Sequence, residues 1–372
     1  MVNKKLFDAL LVLHDHGSDF NFNQNILDEL NQKGFINGRN ITNTGYALLE
    51  NHRINNAIIL AAGISSRFVP ICFDKPKGLL EVKGEILVER QIRQLKEIGI
   101  NEIIIVVGYK KEQFYYLKKK YNIIIIETDD FSIKNNYASV YAARNYLKNT
   151  IITSSDLYFK KNIFQLYAYD SYYCSIFIKG DTEERGLVID ENDKIIDTFY
   201  NCHDIWVSLG YAFFSERFSQ KYIEIVSEIN NDPKSYNKFW ADIQDDHLAD
   251  LYMYIKKCNK DDIYEFDSLK ELYDFQPDFN GCRSSNTLKY ICSIFHCNET
   301  QLYNFSPVSM KGNIKICSFR FSRYLYYLCI YPNQYIDIND VYETMKNLKF
   351  KFVSVDIANN RAILTIQEEY ND

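Results

Sequence analysis

Ala57-Ile58-Ile59-Leu60-Ala61-Ala62-Gly63-Ile64-Ser65-Ser66-Arg67-Phe68 is the stretch that decides the fold of this chain. Its first half is a short apolar run closing in small residues and Gly63, the pattern of a buried strand feeding a loop. Small residues after a strand let backbone N–H groups come close to phosphate oxygens. Arg67 adds a planar fork that matches phosphate. A tight turn with a surface Arg would read the same way, so the neighbouring sequence has to decide. Asp74-Lys75-Pro76-Lys77-Gly78-Leu79-Leu80 follows closely. A Lys fixed beside Pro can reach a phosphate and neutralise charge developing on it.

Outward from this loop, strand and helix patterns alternate. Leu87 to Ile98 carries Val88, Ile92, Leu95 and Ile98 at helical spacing. The apolar run EIIIVVG ends at Gly108, a helix is expected over Glu112 to Tyr121, and a strand over Ile123 to Ile126. A helix from Ala138 to Leu147 precedes the strand TIITSSD, which closes at Asp156. This alternation predicts an α/β fold with a doubly wound, Rossmann-like sheet. Ligands of such sheets bind beyond the carboxyl ends of the strands, where Gly63, Gly108 and Asp156 all fall. From about Asp170 the runs YCSIFIK, GLVID, KIIDTF and VSLGYAFF predict antiparallel strands, so the sheet is mixed. A helix-rich stretch is expected from Ser219 through Ile255, and IYEFDSLKELYDF reads as a strand running into a helix.

Three domains are expected: 1–53, 54–278 and 279–372. In the first, Leu6, Leu10, Leu11 and Leu13 form one helical stripe and Ile26, Leu27, Leu30 and Phe35 a second. A third helix starts near Thr42 or Thr44 as cap. Three helices around the turn KGFINGRNIT suggest a winged helix-turn-helix. The segment holds five basic and six acidic side chains, whereas a DNA-reading helix should be basic. Packing or oligomerisation is the favoured role. In the last domain ICSIF, IKICSFRF and YLYYLCIYP are expected strands and DVYETMKNL a helix, a small α+β segment.

The 372 residues carry a net charge of -6, so nucleic acid is not an expected partner of the whole chain. No apolar run approaches the roughly 18–20 residues of a membrane span, and no signal-peptide pattern stands at the start. The 9 cysteines form no CxxC pair, which suits reduced thiols in a cytoplasmic protein. A homo-oligomer is compatible with all of this.

Two acidic motifs complete the candidate chemistry. Ser154-Ser155-Asp156 puts a carboxylate at a strand end, where it can hold Mg2+ bridged to triphosphate oxygens; a helix cap is the bland reading. Glu265-Phe266-Asp267 closes a later strand, and period-two spacing puts Glu265 and Asp267 on one side. One or both could complete a metal site with Asp156.

Together LAAGISSRF, DKPKGLL, IIIVVGY, NNYASVY and SSD resemble, in order and spacing, the sugar-nucleotide-type nucleotidyltransferases. Trp240-Ala241-Asp242 and IYEFDSLKEL bring the resemblance, over about residues 55–275, nearest to bacterial CTP:phosphocholine cytidylyltransferases of the LicC kind. The resemblance implies a Mg2+-dependent enzyme that joins CTP to a small phosphorylated acceptor and releases pyrophosphate. It implies that the loop of Leu60, Ala61, Ala62, Gly63, Ser65 and Ser66 contacts the nucleotide, with Gly108, Asn135 and Ser139 nearby. Arg67 and Lys77 would grip the triphosphate. Asp156 would hold the metal, with Asp267 as second ligand and Glu265 in reserve.

A choline acceptor carries a quaternary ammonium, which proteins hold with aromatic faces and carboxylates. Tyr158, Trp206, Tyr211 and Trp240, with Asp242, are the candidates; in a chain with 30 Tyr and 25 Phe any one of them is equally read as core. The resemblance also leads one to expect an aromatic near the turn Glu183 to Leu187, where this chain has Arg185. Facing the pocket, Arg185 would suit an anionic acceptor such as a phosphonate; facing solvent, it would mean little. The enzymatic rivals are the same chemistry on 2-aminoethylphosphonate or on a sugar phosphate. The non-enzymatic rival is a nucleotide-sensing transcriptional regulator. Residues 280–372 resemble the start of a choline-kinase fold, in Pro307 to Asn313 and Tyr324 to Pro332. No H-x-D-x-x-x-x-N loop is present, so a packing or dimerisation role is expected there, not kinase activity.

Overall fold

The computed structural model describes residues 2–17, 23–311, 314–331, 350–356 and 360–366. The chain forms two compact units interleaved in sequence: Met1–Gly63 with Leu87–Glu265, and Ile64–Ile86 with Phe266–Asp372.

The first unit opens with helix α1 (Lys4–His16) and helix α2 (Gln24–Gln32), each started by an Asn whose side chain accepts from a backbone N–H of the first turn. A small hairpin of β1 (Ile36–Asn37) and β2 (Asn40–Ile41) precedes α3 (Asn43–Asn51). Thr42 is the cap of α3, accepting from the Gly45 N–H at 3.2 Å. A side chain at Gly45 would strike the Phe35 carbonyl, so only glycine fits against that hairpin. The stripes Leu6, Leu10, Leu11, Leu13 and Leu27, Leu30 are buried together, and Tyr167 from the body of the unit joins their core.

Strand β3 (Asn56–Ala61) is buried along its whole length. A two-residue hairpin, β4 (Glu81–Val82) with β5 (Glu85–Ile86), belongs to the second unit. The first unit resumes with α4 (Leu87–Glu97), β6 (Glu102–Val107), α5 (Tyr115–Tyr121), β7 (Ile124–Glu127), α6 (Asn136–Ala142), β8 (Thr150–Ser154) and β9 (Leu157–Phe159). Strands β3, β6, β7 and β8 are parallel neighbours. Then come β10 (Tyr172–Thr182), β11 (Gly186–Ile189), β12 (Ile195–Phe199) and β13 (Cys202–Phe214), all joined antiparallel. Helices α7 (Glu216–Ile229) and α8 (Trp240–Asp246), β14 (Tyr254–Lys257) and β15 (Ile263–Glu265) close the unit. The sheet order β12-β11-β13-β8-β3-β6-β7, with β10 on β13 and β14 on β10, is the mixed α/β sheet expected. Tyr137 and Val140 of α6 pack on Ile58, Leu60, Ile104, Val106 and Ile152.

Two local expectations need correction. The helix-rich stretch stops before Ile255, because Tyr254–Lys257 is a strand lying parallel to β10. The expected helix 138–147 is shorter, and a 3-10 turn at Arg144–Tyr146 follows it.

The second unit continues with α9 (Leu269–Phe275), α10 (Gly281–Ser284) and α11 (Asn286–Phe295). The run ICSIF, expected as a strand, is the last turn and a half of α11. Short apolar runs do not separate strand from buried helix. Here Ser285 caps the helix by accepting from Leu288 N–H, and Leu288 and Ile291 fall on one buried face. Strands β16 (Leu302–Tyr303), β17 (Ser309–Lys311), β18 (Ile314–Phe321), β19 (Tyr324–Ile330), β20 (Phe350–Asp356) and β21 (Arg361–Ile366) form one antiparallel sheet. The expected helix DVYETMKNL lies outside the described residues. Among the described residues no helix is long and apolar enough to cross a membrane.

Candidate active site

In the first unit the parallel strands end together. Leu60 is level with Val106 and with Ser154. The Ala62 carbonyl accepts from Tyr109 N–H at 3.0 Å, and the Leu60 carbonyl accepts from Ser155 N–H at 3.0 Å. These bonds tie the loops after β3, β6 and β8 to one another. Gly108 has a packing reason: a Cβ there would come within 2.5 Å of the Phe131 ring and 2.9 Å of the Ala62 carbonyl. Gly63 has none, since a Cβ there would meet nothing within 4 Å. Leu60, Ala61 and Ala62 are buried, so their contribution to a ligand is confined to the backbone.

Asp156 stands in the two-residue turn between β8 and β9. One side chain holds that turn from both sides. Gln91, fully buried on α4, donates from Nε2 to the carbonyls of Ser154 and Leu157, both at 2.9 Å. Its Oε1 accepts from Thr153 Oγ1 at 3.2 Å. Arg90 extends the grip to the carbonyls of Phe159 and Lys160, and its guanidinium lies over the Tyr158 ring at 4.6 Å. Sequence reasoning missed Gln91. Its signal was a polar residue on the apolar stripe Val88, Ile92, Leu95 of an amphipathic helix. Glu265 ends β15 opposite Leu157, next in sequence to Asp156.

The other candidates of this unit are drawn into structural work. Asn135 caps α6, accepting from Asn136 N–H at 2.7 Å, and donates to the Asn237 carbonyl at 3.1 Å. Ser139 is buried in the same helix. Tyr211 is fully buried; its hydroxyl bonds Tyr172 at 2.7 Å and Phe164 and Phe159 pack edge-on against it. Trp240 is stacked on Tyr173 at 4.7 Å with Phe214 at its edge. The structure therefore puts Tyr211 and Trp240 in the core. Asp242 accepts from Phe239 N–H at 2.6 Å at the start of α8, and burial lifts its carboxyl above the ordinary value. Tyr158 is also buried, whereas Trp206 is half-buried against Phe177.

Arg185 faces neither solvent nor an open anion site. It is 6% exposed and pairs with Asp245, Nε to Oδ2 at 2.9 Å, with a second bond from Nη2 to Oδ1. Gln244 Oε1 at 2.7 Å and Ser208 Oγ at 3.3 Å take further guanidinium donors. Burial works against its charge, but the Asp245 carboxylate holds its pKa above the usual value.

The second unit holds Arg67 and Lys77. Arg67 donates to Asp267 Oδ1 at 2.8 Å, and Lys77 Nζ stands 3.6 Å from the same oxygen. Lys77 is buried beneath the Phe68 ring, whereas Arg67 is exposed. Two cations thus converge on a carboxylate that lies 200 positions from Arg67 along the chain. Asp267 does not share a strand with Glu265, as expected from spacing. Strand β15 ends at Glu265, and Asp267 lies ahead of α9, where its N–H donates to Glu271 at 2.7 Å. Ser65 takes a positive φ of 56° and its carbonyl accepts from Phe68 N–H, which turns the chain after Ile64. Mg2+ is held by oxygen donors, commonly one or two carboxylates with substrate phosphates and water. Asp156, Glu265 and Asp267 supply that donor type. Among the described residues no three His, Cys, Asp or Glu side chains group as a cage of their own.

Residues 57–185 match the family model of the MobA-like NTP transferase domain. A choline-phosphate cytidylyltransferase of Streptococcus pneumoniae is 33% identical over 215 residues, 58% of this chain and 94% of that protein. A 2-aminoethylphosphonate cytidylyltransferase of Lancefieldella rimae is 32% identical over 224 residues, 59% of this chain and 91% of that protein. The solved structure of the CTP:phosphocholine cytidylyltransferase from Streptococcus pneumoniae superimposes with a TM-score of 0.58 at 32% identity, covering 60% of this chain and 98% of that one.

Proposed function

We propose that this chain, which belongs to the nucleotidyltransferase family of the choline-phosphate cytidylyltransferases, converts CTP and phosphocholine to CDP-choline and pyrophosphate. The observation that carries the reading is the near-complete match to a relative of that name, combined with Arg67 and Lys77 brought to one point. An oxygen of the acceptor phosphate attacks the α-phosphorus in line, a new P–O bond forms, and the bond to pyrophosphate breaks. The acceptor is already ionised at neutral pH, so no strong general base is needed. The work is positioning and charge neutralisation. Arg67 and Lys77 take the triphosphate oxygens, and the backbone from Ala61 to Gly63 takes base and ribose. Asp156, with Asp267 and Glu265 as further oxygen ligands, would hold Mg2+, which would supply positive charge to the leaving pyrophosphate. The nine free thiols support a cytoplasmic setting. For the N-terminal helices we favour a packing role over DNA binding, supported by the Tyr167 they share with the body of the unit.

A second acceptor, 2-aminoethylphosphonate, is favoured by one observation: the relative of that name is nearly as similar as the choline enzyme. Pyrophosphate release decides between them. The purified protein with Mg2+ is crossed with CTP, UTP, ATP and GTP against phosphocholine, 2-aminoethylphosphonate, phosphoethanolamine and glucose 1-phosphate. Turnover with CTP and phosphocholine, abolished in Asp156→Ala, is expected. Turnover with the phosphonate alone keeps the chemistry and replaces the acceptor. No turnover from a folded protein that still binds nucleotide favours a sensor.

A further inference from the structure

The residues after Phe279 lie beyond the stretch that resembles the transferases, yet they are bonded to the loop that carries Arg67 and Lys77. Two anchors do this. The Ser66 carbonyl, adjacent to Arg67, accepts from Val308 N–H at 3.0 Å. Asp74, three residues before Lys77, accepts from Ser285 Oγ at 2.6 Å and Thr287 N–H at 2.7 Å through one carboxylate oxygen. Ser285 is the cap of the ten-residue helix α11, so Asp74 is fixed to the start of a regular element. A carboxylate there is favoured by the helix dipole and by its charge-assisted bonds. Between the anchors, Ile71 packs close to Gly281, 3.3 Å from where a side chain there would begin. Lys83 N–H, past the loop, donates to Gln276 at 2.8 Å. All of these contacts lie within the second unit.

We propose that the segment from Gly281 to Val308 positions the phosphate-gripping loop, with Asp74 and Ser66 as its attachment points. The proposal rests on the transferase reading of Arg67 and Lys77. Asp74 is a positioning residue: it acts through Lys77 and Arg67 and touches no substrate. Loss of the anchor lets the loop sample conformations in which the two cations no longer converge, and nucleotide affinity falls by that population factor.

The test uses the full chain and CTP with Mg2+. CTP dissociation constants by calorimetric titration, CTP KM and kcat, and thermal midpoints are measured for wild type, Asp74→Ala, Asp74→Asn and Ser285→Ala. Leu10→Ala, buried in the core of the N-terminal helices of the first unit, serves as a stability control. Asp74→Ala is expected to weaken CTP binding by roughly tenfold, the size of one lost charge-assisted hydrogen bond. Asp74→Asn, which keeps an acceptor oxygen, should recover part of that loss. Leu10→Ala should lower the midpoint and leave CTP affinity alone. Unchanged CTP affinity in folded Asp74→Ala and Ser285→Ala overturns the proposal. A wild type that binds no nucleotide removes the transferase reading on which it rests.

Discussion

Gln91 shows how a single buried amide can govern a loop it does not belong to. Both of its N–H groups and its oxygen are used, all on the backbone and side chains around the Asp156 turn. Gln91→Met keeps the length and removes the bonds, leaving two buried carbonyls without this donor. We expect a stability loss of about 2 kcal/mol or more. We also expect kcat to fall further than the folded fraction does, because Asp156 loses its fixed position. Urea unfolding and kcat on the same samples check this; a loss of stability with full kcat would leave Gln91 a packing residue. Asn135, Tyr211 and Trp240 teach the opposite lesson at this scale. Each is the residue type a ligand site calls for, and each is consumed by a cap or by the core.

At the scale of elements, α4 carries more than its apolar face. Its buried Glu89 accepts from Tyr116 and Tyr121 hydroxyls and from Lys120 Nζ, each at 2.7 Å, which joins α4 to α5. Burial pushes the Glu89 carboxyl up, but the Lys120, Tyr121 and Tyr116 bonds together hold its pKa below the ordinary 4.5. A depressed carboxyl contributes stability that is present above the ordinary value and lost as pH falls through the folded one. We therefore expect the urea midpoint to fall on acidification below about pH 4.5, and Glu89→Gln to lose less over that interval while being less stable at pH 7. Equal acid sensitivity in wild type and variant would remove Glu89 from the account. The alternation of strands and helices over residues 57–156 was legible because each element repeats its apolar period locally. The run ICSIF was not, because so short a mostly apolar run fits a strand or a helix and the cap at Ser285 decides between them.

For the whole first unit, the three N-terminal helices share one core with Tyr167 and are bonded to the body through Tyr167 OH to Glu50 at 2.6 Å. A core shared in this way unfolds with its host. Leu10→Ala, at a fully buried position, should cost about 3 kcal/mol, in the same cooperative transition that the sheet's aromatic signal reports. A separate early transition of the helices would mean they fold on their own.

The sequence by itself determined the class of fold and the strand ends where Gly63, Gly108 and Asp156 gather, and it supplied the candidate cations Arg67 and Lys77. Those features are written by near neighbours: apolar period, small residues after a strand, Lys beside Pro. Only the tertiary structure decided that Arg67 and Lys77 converge on Asp267, that Arg185 is neutralised by Asp245, and that Asp74 is fastened to α11. Partners distant along the chain meet through packing, and packing is a property of the whole fold that no local pattern encodes.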